Sequence, residues 1–364
     1  MIGPVRGGDT VTNGTRDFLL DQCARYPALR PRDLLKALHQ SVFGCGHFVT
    51  DEAAGMDLLR RELPQAACAG IEPLDGGFCR VHLGTLAETG LSAETLLRLF
   101  ALSAETPSGS REELEEKLAV LLELAQEGRL PFSFEETARA VEDWREAGFP
   151  ACHHSESFRA AYVPAYRVLW RDFAWAIPLL AAMDRRLAEK LRLLVAIDGD
   201  SAGGKTTLAA LLARVYDCNV FHMDDYYLPL DRRAPDWEIE PAGNMDLVRF
   251  RTEVLLPART GSPVSYAAYD CQSGTYRAPV RVTPRPLTVI EGSYSQHPAL
   301  DVGYDLKIFL TCPPDEQNRR LRAREGDYFP MFQSRWIPME ERYFARFQLP
   351  ALDAIVLDTG GLFR

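Results

Sequence analysis

Apolar positions fall into two textures along the chain, and the change comes near residue 190. Before it they recur at helical spacing. Thr15 to Arg25 and Pro31 to His39 carry that spacing, with Leu34, Leu35 and Leu38 on one face, and Met56 to Leu63 repeats it over a shorter length. Leu91 to Leu102 begins at Ser92 as N-cap with Glu94 in its first turn. Ser110 and Glu113 form a capping box ahead of Leu114, Leu118, Leu121 and Leu122, and Ser133 to Glu146 repeats the arrangement. Between these helices, Phe78-Cys79-Arg80-Val81-His82-Leu83-Gly84 alternates as a short strand. Phe158, Tyr162, Tyr166, Trp170, Phe173 and Trp175, roughly four apart, predict a helix packing face, and Phe173 to Leu191 a long helix interrupted near Pro178.

From Leu191 onward the apolar residues gather into short runs separated by helical stretches: LRLLVAID, NVFHMD, LTVIEG, LKIFLT and AIVLDT. Strands alternating with helices predict a parallel sheet with helical crossovers. The fold expected is therefore α/β, a parallel sheet flanked by helices over residues 186–364, preceded by a mainly α-helical domain over residues 1–185. A length of 364 residues suits two such domains.

Composition narrows the function classes. With 46% hydrophobic and 25% charged residues and no apolar run of eighteen, the chain reads as globular without a membrane span. The opening MIGPVRGGDTVTNG has no apolar stretch behind Arg6, so no secretory signal is read and a cytoplasmic location is expected. A net charge of −10 argues against a nucleic-acid or membrane partner and leaves small ligands, anionic ones needing local Lys and Arg. The eight cysteines are scattered without a C-x-x-C pair and read as reduced, mostly buried thiols.

One motif stands above this background. Gly199-Asp200-Ser201-Ala202-Gly203-Gly204-Lys205-Thr206 fits G-x-x-x-x-G-K-[ST], follows a predicted strand and opens the helix that continues through Thr207. The glycines let successive backbone N–H groups turn onto phosphate oxygens, and the helix N-terminus adds a favourable dipole. Lys205 is placed to reach the β and γ phosphates, and the Thr206 hydroxyl to ligate Mg2+.

Phosphoryl transfer to an alcohol also needs a carboxylate beside the attacking oxygen, and in an open parallel sheet that place lies beyond the strand C-termini. The stretch HMDDYYLP puts Asp224 and Asp225 there, and Glu291, ending PLTVIEG, suits a contact to Mg2+. After LKIFLT, Pro313-Pro314-Asp315 starts a helix carrying Arg319, Arg320, Arg322 and Arg324, a cationic face suited to a lid over a transferring phosphoryl group.

As a set, these residues resemble the uridine kinase-like P-loop kinases, relatives of phosphoribulokinase, pantothenate kinase and nicotinamide riboside kinase, over residues 190 to 364. GDSAGGKTT is similar to that family's phosphate loop, and Asp224-Asp225-Tyr226-Tyr227 to its D-x-[FY]-[FY] element, which implies Asp224 as general base and Tyr227 as an acceptor contact. Gly243-Asn244-Met245-Asp246 is similar to the N-[FY]-D segment and implies Asp246 as a sugar ligand, although Leu247-Val248 replaces the usual His-Pro. Tyr269-Asp270 and Arg277 resemble a substrate-binding stretch, without the histidine that helps read a pyrimidine base. Glu291-Gly292 resembles the family's E-G, and the arginine helix its lid, with Arg324 as the catalytic arginine.

The resemblance implies an ATP- and Mg2+-dependent kinase acting on a primary hydroxyl of a nucleoside or related ribosyl compound. A P-loop kinase for a glycerate- or pantothenate-type alcohol, or an ATP-operated switch controlling the first domain, are the alternatives. In that first domain, His39, His47, His153 and His154, with Cys45, Asp51, Glu62 and His82, are candidates for a ligand pocket or metal site, although none of the spacings is a ligand signature. Histidines satisfied at turns and helix ends are the simpler reading.

Overall fold

The computed structural model describes residues 7–44, 51–105 and 109–362. The chain divides into two compact units, one ending at Arg185 and the other beginning at Arg186. Among the described residues no helix is long and apolar enough to cross a membrane.

In the first unit, helices Gly7–Arg25, Pro31–Phe43, Arg111–Gln126 and Phe134–Glu146 enclose a core built on Leu19, Leu34, Leu38, Leu114, Leu118 and Leu121. Ser92, Ser110, Ser133 and Ser155 cap four helices, each accepting from the backbone N–H three residues on. Each such cap contributes about 1 kcal/mol. The Glu113 carboxylate does not close the expected box; it lies 3.3 Å from Lys117 Nζ, an i, i+4 ion pair.

The single expected strand has two partners. Phe78–His82 pairs antiparallel with Ile71–Pro73 on one side and Tyr166–Trp170 on the other. The aromatic stretch is therefore not one helical face. Helix Glu156–Tyr162 stops at Val163, ahead of Pro164, which lacks the N–H a further turn needs, and the chain restarts as the strand carrying Tyr166 and Trp170. The interruption expected near Pro178 falls at Ala176, between helices Arg171–Trp175 and Ile177–Glu189.

A buried polar network sits under this sheet. Arg80, 1% exposed, donates through Nε and Nη2 to Gln40 Oε1 at 3.0 and 2.8 Å and through Nη1 to Glu72 Oε1 at 3.2 Å. Glu72 also accepts from Gln22 Nε2 and Tyr26 OH. His154 lies 2.9 Å through Nδ1 from Asp33 Oδ1 and 2.7 Å through Nε2 from Tyr166 OH, its ring stacked 4.1 Å from Phe158. His82 lies 3.3 Å from Glu72, and His39 packs against Phe43 and Trp144. Asp51 caps helix Glu52–Glu62, Glu62 pairs with Arg167, and the His153 carbonyl accepts from Arg32. Cys45 and His47 lie outside the described residues. Among the described residues no three His, Cys, Asp or Glu side chains gather in a way that would hold a metal ion.

In the second unit the five apolar runs form one all-parallel sheet in the order Ile355–Asp358, Leu306–Thr311, Leu193–Gly199, Leu287–Glu291, Cys218–His222. Leu193–Gly199 is buried throughout, as a central strand covered on both faces must be. Register brings Glu291 level with His222, and Thr311 level with Asp358, so the strand ends share one edge. Cysteine burial is less complete than expected: Cys79 and Cys312 are buried, but Cys68 and Cys271 are exposed.

Candidate active site

At that edge the strand Leu193–Gly199 turns into helix Lys205–Val215. A Cβ on Gly199 would lie 2.0 Å from Leu310 O, and its φ of 129° is one that side chains avoid, so glycine is required where the turn leaves the sheet. Ala202 and Gly204, at φ 57° and 90°, complete the loop. Ser201 to Thr207 line a cavity of about 710 Å³. Gly199 and Asp200 lie outside its lining, with Asp200 Oδ2 accepting from Cys312 N at 2.8 Å.

The loop is braced from behind. Ser201 donates through N and Oγ to Glu340 at 3.0 and 2.8 Å, Thr359 Oγ1 donates to Gly203 O, and Arg320 Nη1 donates to Ala202 O. Under it, the fully buried Asp198 accepts from Gly199 N, Gln296 N and Tyr343 OH. Burial pushes its pKa up to about 6 against the pull of Lys205 and these bonds. Lys205 Nζ donates to Gly199 O at 2.7 Å and Asp200 O at 3.0 Å, within the loop itself.

Asp224 faces the same cavity from the turn that follows strand Cys218–His222. Its carboxylate opens to the cavity but is walled in by protein, and that desolvation raises its pKa; Glu291 adds to the rise, while the Tyr227 hydroxyl, Lys205 and His222 oppose it. Tyr227, also on the lining, donates to Asp224 Oδ1 at 3.0 Å. Asp225 does not line the cavity; its Oδ2 is 3.4 Å from Tyr266 OH.

Glu291 and Thr206 meet at the strand edge, with Thr206 Oγ1 3.3 Å from each Glu291 oxygen. His222 Nδ1 bonds the same carboxylate, which raises the histidine pKa. A hydroxyl beside a carboxylate is a hard oxygen set of the kind Mg2+ accepts. Of the four arginines on the helix expected to act as a lid, Arg320 and Arg324 line the cavity. Arg324 pairs with Glu325 over the Phe332 ring, whereas Arg319 pairs with Glu316 and Arg322 lies over Phe329, both off the lining.

Three expected acceptor contacts are elsewhere. Asp246 caps helix Leu247–Phe250, its carboxylate accepting from Arg249 N at 3.1 Å. Tyr269 packs on Tyr276 across a short hairpin of two-residue strands, and Arg277 sits 3.3 Å from Asp270 at the surface. None of the three lines the cavity. Arg233, Trp237, Asn244, Trp336 and Glu340 do, and no sequence motif gives any of them a role. Only Asn244 stood in a motif, and there its neighbour Asp246 drew the assignment.

No family model matches the chain. It is 28% identical over 183 residues to nicotinamide riboside kinase 2 of Mus musculus, spanning 46% of this chain and 88% of that protein. Nicotinamide riboside kinase 2 of Homo sapiens is 27% identical over 180 residues, 46% of this chain and 74% of that one. Nicotinamide riboside kinase of Schizosaccharomyces pombe is 24% identical over 154 residues, 37% and 67%. Among solved structures, a possible uridine kinase from Bacillus stearothermophilus covers 50% of this chain and 99% of its own at 21% identity, with a TM-score of 0.39.

Proposed function

We propose that the second unit is a uridine kinase-like P-loop kinase domain and that the protein transfers the γ-phosphate of ATP to the primary hydroxyl of a nucleoside-like or related ribosyl compound, a reading supported by the similarity to nicotinamide riboside kinases. The observation that carries this reading is the facing of Asp224 and the phosphate loop across one cavity.

Asp224 accepts the proton of the attacking hydroxyl as the new oxygen–phosphorus bond forms and the bond to the β–γ bridging oxygen breaks, leaving ADP. Tyr227 holds the carboxylate in place through its hydroxyl. Lys205 exchanges the carbonyls of Gly199 and Asp200 for phosphate oxygens, and Arg324 adds positive charge at the rim. Mg2+, when bound, neutralises charge between the phosphates; Thr206 and Glu291 are the residues that would hold it.

The test is ADP release from purified protein and ATP against uridine, cytidine, nicotinamide riboside, pantothenate and glycerate, with the product's phosphate position read by phosphorus NMR. Transfer to a ribosyl 5′-hydroxyl, abolished in Asp224→Asn, supports the reading. Failure of every alcohol to raise ADP release above the rate in water defeats it and favours the ATP-operated switch.

A further inference from the structure

On Asp224's side of the cavity stands a guanidinium that no carboxylate neutralises. Arg233 donates through Nε to Leu228 O at 3.0 Å and lies over the Trp237 ring at 4.6 Å. Among the described residues neither of its η nitrogens has a hydrogen-bond partner, and no Asp or Glu is within ion-pair distance. The other arginines of the lining are engaged: Arg320 with Glu316, Arg324 with Glu325, and Arg335 with Glu238 at 3.1 Å. Arg233, Cys271 and Asp224 line the same cavity.

Asn244 stands on the same wall, 2% exposed, with Oδ1 buried and unpartnered. An orphaned buried oxygen is costly, and a donor reaching it from the adjoining cavity would relieve that cost. Leu228 ties the two residues together, since its N–H donates to Asn244 O at 2.8 Å while its carbonyl holds Arg233. Met245 pairs with Tyr227 in an isolated bridge, so the wall is continuous with the turn that presents Asp224.

We propose that Arg233 and Asn244 determine acceptor specificity, selecting an alcohol that carries a carboxylate for the Arg233 η nitrogens and a hydroxyl or N–H for Asn244 Oδ1. This rests on the kinase reading above. A guanidinium's parallel N–H groups match a carboxylate edge. One uncompensated positive charge matches one negative charge, whereas a phosphate dianion would leave a surplus beside Asp224 and Glu291. An acceptor with a cationic ring meets a like charge and is disfavoured. Alcohols of the pantothenate and glycerate type, and ribosyl compounds with a ring carboxylate, satisfy the arrangement.

The experiment compares kcat/KM for acceptors matched in their alcohol and differing only in a carboxylate or its amide: pantothenate against its primary amide, and a ribosyl pyridine carboxylate against the carboxamide. Wild type prefers the carboxylate member at least about 10-fold, the scale of one charged hydrogen-bonded contact. Arg233→Gln removes that preference through KM for the carboxylate, with KM for ATP unchanged. Arg233→Lys keeps part of it, which a purely structural role for the Leu228 bond would not allow. Asn244→Leu raises KM for both members of a pair. Equal use of both members by wild type, an equal loss on both in Arg233→Gln, or an effect confined to KM for ATP overturns the assignment while leaving the kinase reading intact. Absence of transfer to every alcohol rejects the kinase reading itself.

Discussion

Glu340 holds Ser201 twice, through its backbone N–H and its hydroxyl, across 139 residues of chain. A carboxylate from helix Ile337–Phe347 thereby fixes the first residue of the phosphate-loop lining, and its Oε1 also accepts from Ser293 Oγ at 2.5 Å. Replacing Glu340 by Ala leaves two buried donors of Ser201 without a partner, a cost of about 1–3 kcal/mol each. We expect Glu340→Ala to raise KM for ATP by at least about tenfold while KM for the acceptor moves less, because the loss falls on the loop and not on the opposite wall. Steady-state kinetics with each substrate varied in turn measures the split.

Asp224 carries the second expectation. Asp224→Asn keeps the shape and the Tyr227 contact but cannot take a proton, so kcat should fall by about 10²–10⁴-fold with little change in KM for ATP. The pH profile sharpens the point. Protein around the carboxylate favours its neutral form, so its pKa is raised, and a base works only when ionised. The rate should therefore fall with acidification at a higher pH than an ordinary carboxylate would give, and the residual rate of Asp224→Asn should lack that limb.

For Glu291 the readout is the metal. Glu291→Gln removes the anionic oxygen that faces Thr206 and the partner of His222 in one step. The Mg2+ concentration for half-maximal rate should rise by about 10–100-fold, and raised Mg2+ should restore part of the rate. Thr206→Ala should move the same midpoint in the same direction. A Mg2+ titration at fixed ATP measures both.

How much of this was legible follows from how local each signal is. The five strands were readable as apolar runs because a sheet buried on both faces needs them, and the phosphate loop because its glycines and Lys205 are contiguous. Ser92, Ser110 and Ser133 were readable as caps for the same reason. The Glu340 brace, the Arg233–Trp237 stack and the inward amide of Asn244 were not, since each is made by tertiary packing and leaves no spacing signature. The strand Tyr166–Trp170 was missed because aromatic residues four apart satisfy a helix and the ends of a five-residue strand alike; Pro164 and the pairing with Phe78–His82 decided it. Asp246 illustrates the limit of a motif. Its carboxylate lies at the N-terminus of a short helix and caps it, while Asn244, two residues earlier, lines the cavity.

His154 makes the stability of the first unit depend on pH. Burial lowers its pKa from 6.5 to about 4, with the Asp33 bond pulling the other way. In the unfolded chain the ring titrates at about 6.5, so between that pH and about 4 the unfolded state binds a proton that the folded state does not. Stability from this group is thus complete above pH ~6.5 and is lost as pH falls through about 4, amounting to about 3 kcal/mol. Asp33, whose own pKa is lowered by the His154 and Ser155 bonds, loses its contribution only below the ordinary carboxylate range and leaves this window to the histidine. The ring resonance of His154 in an NMR titration should have its midpoint near 4. Urea midpoints of the first unit, followed through Trp144 and Trp170, should fall across the same interval, and His154→Gln should flatten that fall; an unchanged slope in the variant would assign the acid sensitivity to another group.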